Sequence, residues 1–241
     1  MGRTPKRLNE MMNEQELDRM LQEILSNVSP YEAPKKEPIY HDKEMKIFME
    51  TFRKVESQFD IEKADMSILK SIFAWVWRWE DDNEIGLDYS KGLFLYGSIG
   101  MGKTFALRVL RQYLIDLSNR HPDAYKEDYR LGTYWKSASQ LAAMFACKGI
   151  VAIEEYIQPD CCLFIDEVGR EPNPVNNFGT KMDVIQFLLQ TRYEDRRSNV
   201  THITTNLSLK EFTQIYGDYV ADRCLEMFNF IPFEGESLRK Q

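Results

Sequence analysis

Eight consecutive residues have types and spacing suited to holding phosphate. They match the pattern GxxxxGK[ST] and lie between an apolar run, residues 92–96, and a predicted helix, residues 105–117. Glycines let the backbone curl so that successive N–H groups point at one anion, and the helix N-terminus adds the positive end of its dipole. The sequence therefore predicts a phosphate-binding loop made of Gly97, Ser98, Ile99, Gly100, Met101, Gly102, Lys103 and Thr104.

Two side chains at the end of this loop are suited to nucleotide chemistry. Lys103 supplies a point charge for β- and γ-phosphates, and the Thr104 hydroxyl can ligate Mg²⁺. A loop of this kind does not by itself show whether phosphate is bound, transferred or hydrolysed.

A pair of carboxylates indicates which of these reactions the site performs. Asp166 and Glu167 end an apolar predicted strand, residues 161–165, and in a parallel sheet such an end lies beside the phosphates. Asp166 is placed to hold Mg²⁺, directly or through water. Glu167 is the natural general base to polarise an attacking water. Hydrolysis is therefore favoured over transfer to a second substrate.

A third apolar run, residues 200–204, leads to Asn206, which could reach the γ-phosphate or the attacking water. An Asn after a strand is more often a turn residue. The prediction rests on the order of phosphate loop, Asp-Glu strand and Thr-Thr-Asn strand. His202, within this run, is predicted to be a packed core residue.

The elements that must position these residues alternate as in α/β proteins. Apolar strands separated by helices predict a parallel sheet covered on both faces, a three-layer α/β/α fold. A helix is predicted from His41 to about Ser57, and another carries Trp75, Trp77 and Trp79 as core residues. The remaining predicted elements are a strand over residues 129–135, a helix over 139–147 and a helix over 182–193.

Composition narrows the class of protein. The 241 residues carry a net charge of −7, which argues against coating nucleic acid by bulk electrostatics. No apolar run approaches the ~20 residues that span a membrane. The four cysteines show no metal-ligand spacing. These features predict a reduced, cytoplasmic protein.

Two regions are predicted. Residues 1–40 form a helical arm, with an apolar stripe from Leu17 to Leu25 and a Pro-spaced linker, and residues 41–241 form the main domain. The stripe must pack either on that domain or on a partner, since one short helix cannot bury it alone.

The chain resembles the AAA+ ATPases, and more narrowly the DnaC/IstB branch of bacterial helicase loaders and transposition ATPases. The resemblance covers about residues 91–239. It is carried by residues 97–104, 165–169 with 171–172, 192–193, 204–207, 216–217, 222–223 and 233–239.

The resemblance implies a role for each matched residue. Lys103 and Thr104 match Walker A, Asp166 and Glu167 match Walker B, and Asn206 matches sensor 1. The implied fold is a P-loop NTPase of the AAA+ type without the small helical lid domain. The implied cofactors are ATP and Mg²⁺.

Arg223 matches the arginine finger, which in this family reaches the nucleotide of an adjacent subunit. A guanidinium suits this task because it stays charged and forms bidentate bonds to phosphate. The alternative is a surface salt bridge with Asp222 or Glu226. Arg239 is a weaker candidate, for a sensor-2-like contact.

The resemblance implies an ATP-dependent helicase loader in DNA replication, which hydrolyses ATP between subunits of a ring or spiral and loads a replicative helicase on single-stranded DNA. Within the family, the alternative is an IstB-like ATPase that recruits a transposase to duplex DNA. Outside it, a P-loop kinase and a nucleotide-binding switch without turnover are the alternatives. The candidate DNA contacts are Lys136, Phe145, Lys148, Phe178, Lys181, Arg192, Arg196 and Arg197.

Overall fold

A five-stranded parallel sheet forms the centre of the computed structural model, which describes residues 38–55, 65–121, 133–157, 162–195 and 200–234. The described strands are β1 (Gly92–Tyr96), β2 (Thr133–Ser137), β3 (Cys162–Val168), β4 (Val175–Asn177), β5 (Thr180–Met182), β6 (Thr201–Thr205) and β7 (Phe228–Pro232). In the five-stranded sheet they lie in the order β2-β3-β6-β1-β7, and each neighbouring pair is parallel. A separate antiparallel hairpin, β4–β5, follows β3.

Helices cover both faces of this sheet. They are α1 (Pro38–Val55), α2 (Met66–Trp77), α3 (Lys103–Arg120), α4 (Ala138–Lys148), α5 (Glu154–Ile157), α6 (Val184–Glu194), α7 (Leu209–Tyr216) and α8 (Asp218–Met227). One apolar cluster joins α1, α2 and α3 to one face, and a second joins α4 to α8 to the other. Within β1, Leu93 and Leu95 belong to the first cluster and Phe94 to the second, as the two-residue period of a strand requires. The predicted three-layer α/β/α fold with a parallel sheet is confirmed.

The three tryptophans are core residues, as predicted. Asp65 caps the N-terminus of α2, and its side chain accepts hydrogen bonds from the amides of Ser67 and Ile68. Trp75, Trp77 and Trp79 are each at most 4% exposed. Their alternation therefore reflects packing around a helix end and not a strand.

His202 is likewise the packed core residue that the sequence predicts. Its Nδ1 accepts a hydrogen bond of 3.2 Å from the backbone N–H of Leu93, and its ring packs on Trp75 and Phe164. Burial lowers the pKa of His202 to about 3, so the ring is neutral in the folded protein.

Several element boundaries differ from the predicted ones. Helix α1 begins at Pro38, because a proline is well tolerated in the first turn of a helix. Met182 belongs to β5, and α6 starts only after Asp183, whose side chain accepts a bond from the amide of Gln186. The hairpin, α5, α7, α8 and β7 are not among the predicted elements. The hairpin strands have only three residues each, which is too short to show a period. Helices α7 and α8 do carry an apolar stripe, and that stripe was the available signal.

Some predicted features lie outside the described residues. These are residues 1–37 of the predicted arm and linker, residues 129–132 of one predicted strand, and Cys161, Arg196, Arg197 and Arg239. Within the described ranges, none of the helices is both long enough and apolar enough to cross a membrane.

Candidate nucleotide-binding site

The phosphate-binding loop connects β1 to α3, as the sequence predicts. Gly97 opens it with a φ of 133°, which side-chain-bearing residues rarely adopt. A Cβ placed on Gly97 would lie 2.3 Å from the carbonyl oxygen of Phe233, just after β7. Glycine is therefore required at position 97 both for its backbone conformation and for the close approach of a neighbouring chain segment.

The first turn of α3 is available to an anion. Gly102 precedes the helix in a left-handed conformation and has no side chain to cap it. Consequently, the N–H groups at the start of α3 are not capped by the preceding side chain, and they carry the positive end of the helix dipole. This arrangement is suited to holding a phosphate oxygen.

Lys103 lies across the loop. Its side chain is buried, and Nζ donates hydrogen bonds of 2.7 Å to the carbonyl oxygens of both Gly97 and Ser98. Burial lowers the pKa of Lys103 to about 8, although the nearby charge of Asp166 opposes the shift. The ammonium is thus still largely charged at neutral pH and close to the loop that would hold the phosphates.

Asp166 joins the loop to β3 and β6. Its Oδ1 accepts hydrogen bonds from the Thr104 hydroxyl, at 2.7 Å, and from the Thr204 hydroxyl, at 2.6 Å. Its side chain is buried, and both donors are neutral. Sequence reasoning predicted the proximity of Thr104 and Asp166 but missed Thr204, whose position in the Thr-Thr-Asn run was the available signal.

Glu167 has an unusual backbone. Its φ is 58°, and the pairing of β3 with β6 shifts register between Ile165 and Val168, which marks a bulge. The backbone N–H of Glu167 donates to the Thr204 hydroxyl at 2.9 Å. A non-glycine residue in this region costs free energy, and such strain concentrates at functional sites. The bulge turns Glu167 out of the strand while Asp166 stays buried.

Arg170 is a site residue that sequence reasoning missed. Its Nη1 lies 2.8 Å from Oε1 of Glu167, and both side chains are partly exposed. The charge of Arg170 also contributes to lowering the pKa of Lys103, after the larger effect of burial. Arg170 is therefore a cation of the same site, three residues after the predicted base.

The turn that presents Arg170 is held firmly by its neighbours. The N–H of Gly169 donates to the carboxylate of Glu171 at 2.9 Å, and the hydroxyl of Tyr216 donates to the same carboxylate. A Cβ on Gly169 would lie 2.4 Å from a methyl group of Leu207. These contacts fix the backbone on which Glu167 and Arg170 sit.

The residues present fit a bound Mg²⁺. A hydroxyl from Thr104 and a carboxylate from Asp166 are hard oxygen ligands, and Mg²⁺ typically takes one or two protein ligands alongside phosphates and water. Within the described ranges, both hydrogen bonds to Asp166 go to Oδ1, which leaves Oδ2 for a cation. No group of three or more His, Cys, Asp or Glu residues that could cage a metal occurs in the same ranges.

The structure brings Asn206 to the same edge of the sheet. It follows Thr205, which pairs with Tyr96 on one side and Val168 on the other. Tyr96 leads into the phosphate loop and Val168 follows Glu167. Asn206 thus emerges between the two elements that carry the predicted chemistry.

Arg223 is not brought to this edge by any contact in the described part of the chain. It lies on α8, where its guanidinium is within 4.5 Å of the ring centre of Tyr193 and 4.8 Å of that of Tyr219. Nη1 donates to the Tyr193 hydroxyl at 2.9 Å and Nη2 to the Tyr219 hydroxyl at 3.1 Å. The Tyr193 hydroxyl donates in turn to Glu226. In the described ranges no direct salt bridge joins Arg223 to Asp222 or Glu226, and the Tyr193 hydroxyl links Arg223 to Glu226 instead.

Two predicted DNA contacts are wrong. Phe145 is 2% exposed and belongs to the core on the α4 side of the sheet. Arg192 is fully buried, and its guanidinium donates to the Thr201 hydroxyl and to the backbone carbonyls of Tyr156 and Val200. Phe145 stabilises the fold by apolar packing. Arg192 can be buried because its guanidinium is surrounded by hydrogen-bond acceptors.

Other predicted DNA contacts are on the surface. Phe178, at the tip of the β4–β5 hairpin, is 96% exposed. Lys148 and Lys181 are also exposed, whereas the ammonium of Lys136 lies 5.6 Å from the ring centre of Tyr156. The exposure of the first three leaves them available to a ligand.

No protein-family model and no curated protein matches this sequence. Similar solved structures include the DnaC helicase loader, at 20% identity and a TM-score of 0.49, over 70% of this chain and 92% of that one. DnaI is similar at 17% identity and a TM-score of 0.49, over 78% and 93%. The replication initiator DnaA bound to AMPPCP and single-stranded DNA is similar at 14% identity and a TM-score of 0.46, over 72% and 47%.

Proposed function

We propose that this chain is a Mg²⁺-dependent ATPase. The observation that carries the proposal is the hydrogen bond between Thr104 and Asp166, because it joins the phosphate loop to the acidic strand end. The adjacent Glu167 adds a partly exposed carboxylate on a strained backbone, where a catalytic base would be placed.

Each residue then has a defined task. Lys103 and the first N–H groups of α3 bind the β- and γ-phosphates, and Thr104 and Asp166 hold Mg²⁺. The ion would offset the negative charge of the phosphates. Glu167 orients a water and accepts its proton as the oxygen attacks the γ-phosphorus and the bond to the bridging oxygen breaks.

Thr204 and Arg170 position these groups. Thr204 fixes the Asp166 carboxylate through its hydroxyl and the backbone of Glu167 through the N–H bond. Arg170 holds the Glu167 carboxylate by an exposed ion pair, which is weak enough to yield when a triphosphate binds beside it.

Two substitutions test the ATPase proposal. Lys103→Ala should abolish nucleotide binding, whereas Glu167→Gln should keep binding and lower phosphate release at least a hundredfold. Glu155→Gln, an exposed carboxylate on α5, is the matched control and should leave turnover unchanged. Normal hydrolysis by Glu167→Gln would refute the assignment of the base.

We also propose that ATP binds between subunits and that Arg223 acts on the neighbour's nucleotide. The two tyrosines hold the guanidinium in a defined place, and its contacts in the described ranges are to α6 and α8. Arg223→Ala and Lys103→Ala proteins should each be inactive alone. Their mixture should regain part of the turnover if the finger acts in trans, and none if each chain works alone.

The helicase-loading role is proposed from the motif resemblance. In this role residues 1–40 bind a replicative helicase, an assembled ring or spiral binds single-stranded DNA, and the protein works in the cytoplasm. Because α1 begins at Pro38, a deletion of residues 1–37 tests the arm without cutting that helix. Helicase pull-down should be lost while ATPase activity remains. Preference for duplex DNA and a transposase would instead favour the transposition role.

A further inference from the structure

A groove beside β2, at one end of the described sheet, combines positive charge with a defined cavity. It has a volume of about 580 Å³ and is lined by Lys54 and Val55 at the end of α1, Arg108, Arg111 and Gln112 on α3, and Trp135 on β2. We call it the basic groove. Among the described strands, β2 is the last at this end of the sheet order, and the groove lies beside it.

Helix periodicity explains why these groups converge. Arg108, Arg111 and Gln112 are spaced three and four residues apart, so they share one face of α3. The face next to it carries Leu107 and Leu110, which are fully buried against the sheet. Helix α1 packs along α3 and ends with Lys54 and Val55 at the groove.

The cations of the basic groove have no direct ion-pair partner among the described residues. In the described part of the chain, no carboxylate forms an ion pair with Lys54, Arg108 or Arg111. Arg111 donates to the carbonyl oxygen of Thr133 at 3.1 Å, and its buried Nε has no hydrogen-bond partner. Three cations thus converge on a chain whose net charge is −7. The carboxylate of Asp116, next to the groove, accepts a hydrogen bond of 2.9 Å from Gln112, and in the described ranges it forms no ion pair with the three cations.

The groove is suited to phosphates more than to bases. Guanidinium groups form bidentate, charge-assisted bonds with phosphate oxygens. The ring of Trp135 is already stacked on Phe164, at 5.9 Å, and the guanidinium of Arg108 lies over it at 5.6 Å. The aromatic ring therefore serves as a wall of the groove while the cations face the ligand.

We propose that the basic groove binds the sugar–phosphate backbone of single-stranded DNA. Cationic grooves that follow the backbone are how proteins bind single strands without sequence preference. The site deepens the proposed function and is separate from the surface DNA contacts that the sequence predicts.

The groove shares a rigid element with the nucleotide site. Arg108 and Arg111 follow Lys103 by five and eight residues on α3, which corresponds to about 8 and 12 Å along the helix axis. A strand in the groove would therefore not compete with ATP at the loop. Both ligands would instead contact the same helix.

Binding of a fluorescently labelled oligo-dT to the full chain, followed by anisotropy, tests the site. The double variant Lys54→Ala/Arg108→Ala should lose at least tenfold in affinity. The slope of log K against log salt should shrink by about 1.4, since each phosphate contact on a single strand contributes about 0.7. The matched control Lys46→Ala/Lys210→Ala removes the same charge from exposed sites and should stay within about twofold of the parent protein.

Tryptophan fluorescence gives a local readout. Oligo-dT should change the emission of the parent protein, and Trp135→Phe should abolish that change, because the other three tryptophans are buried in the core. Equal loss of affinity in the two double variants, an unaffected groove variant, or an unchanged signal in Trp135→Phe would each overturn the proposal.

A free phosphate compound is the competing ligand of the same chemistry. Lys103→Ala protein, in which the loop is disabled, should bind oligo-dT but not pyrophosphate by calorimetry, and tight binding of pyrophosphate would overturn the assignment to nucleic acid. DNA-independent ATPase activity of the groove variant should match that of the parent protein. Failure of the groove is therefore distinguishable from failure of the proposed ATPase function.

Discussion

Two buried carboxylates, one on each side of α3, have opposite surroundings. Glu44 on α1 is 1% exposed and accepts hydrogen bonds from the Tyr113 hydroxyl at 2.9 Å and from Arg120 at 2.5 Å, with a ring nitrogen of His121 at 3.5 Å. Asp166 is 7% exposed and is held by two neutral hydroxyls.

The difference distinguishes a structural carboxylate from a functional one. The charge of Glu44 is balanced within the fold by Arg120, which makes the network complete. Asp166 has hydrogen-bond donors but no cation in direct contact in the described ranges, so its charge remains available to an external ion. Burial alone would not have separated the two.

The largest expected effect comes from removing the charge of Asp166. Asp166→Asn should lower turnover about a thousandfold, equivalent to roughly 4 kcal/mol in the activation barrier, because the cation loses its protein carboxylate. The melting temperature should hardly change. Steady-state ATPase assays across a Mg²⁺ titration measure this, and near-normal turnover would show that Asp166 is structural like Glu44.

Glu44→Gln should give the converse result. It leaves Arg120, which is 30% exposed, without its counter-charge, so we expect a loss of about 3 kcal/mol in the free energy of unfolding. Turnover per folded molecule should stay the same. Urea unfolding combined with ATPase assays separates the two quantities, and a specific loss of turnover would contradict the comparison.

His202 is a third buried titratable group, and it differs from both carboxylates because it is neutral in the folded protein. Burial lowers its pKa to about 3 from the ordinary 6.5. The unfolded chain therefore binds more protons between these values, and stability present above pH 6.5 is lost as pH falls toward 3. At pH 5 the loss from this group is about 2 kcal/mol. In His202→Gln, the difference in the free energy of unfolding between pH 7.5 and pH 5, measured with urea, should be smaller by that amount. The same difference in the variant and the parent protein would show that the ring is not neutral.

The smallest expected effect tests the second hydroxyl on Asp166. Thr204→Val should lower turnover about tenfold, because it removes a partner of both Asp166 and the Glu167 backbone. The adjacent Thr205→Val is the matched control, since in the described part of the chain the Thr205 hydroxyl bonds to the backbone of Val168 and Leu207 and to neither Asp166 nor Glu167. It should cost stability and leave turnover within about threefold. Equal turnover losses in the two variants would assign Thr204 a purely structural role.

Local patterns in the sequence predict the part of the site that is local. The phosphate loop and the Asp166–Glu167 pair depend on short motifs between recognisable elements, and the structure has them on those elements. Thr204 reaches Asp166 from the neighbouring strand β6, and Arg170 reaches Glu167 across the turn after β3. The period of apolar residues along the sequence predicts neither contact. The sequence places Arg192 in a surface cluster, and this is wrong because its acceptors come from two segments distant in sequence, Tyr156 and the pair Val200 and Thr201.

The close approach at Gly97 couples the nucleotide loop to the segment that follows β7. The backbone N–H of Phe233 donates to the carbonyl oxygen of Tyr96 at 2.8 Å, and the Phe233 carbonyl occupies the space beside Gly97. Any rearrangement of the loop on filling with phosphate must displace this segment or be resisted by it. The exposed Glu234 next to it is therefore a natural position for a spectroscopic label that reports nucleotide occupancy from outside the site.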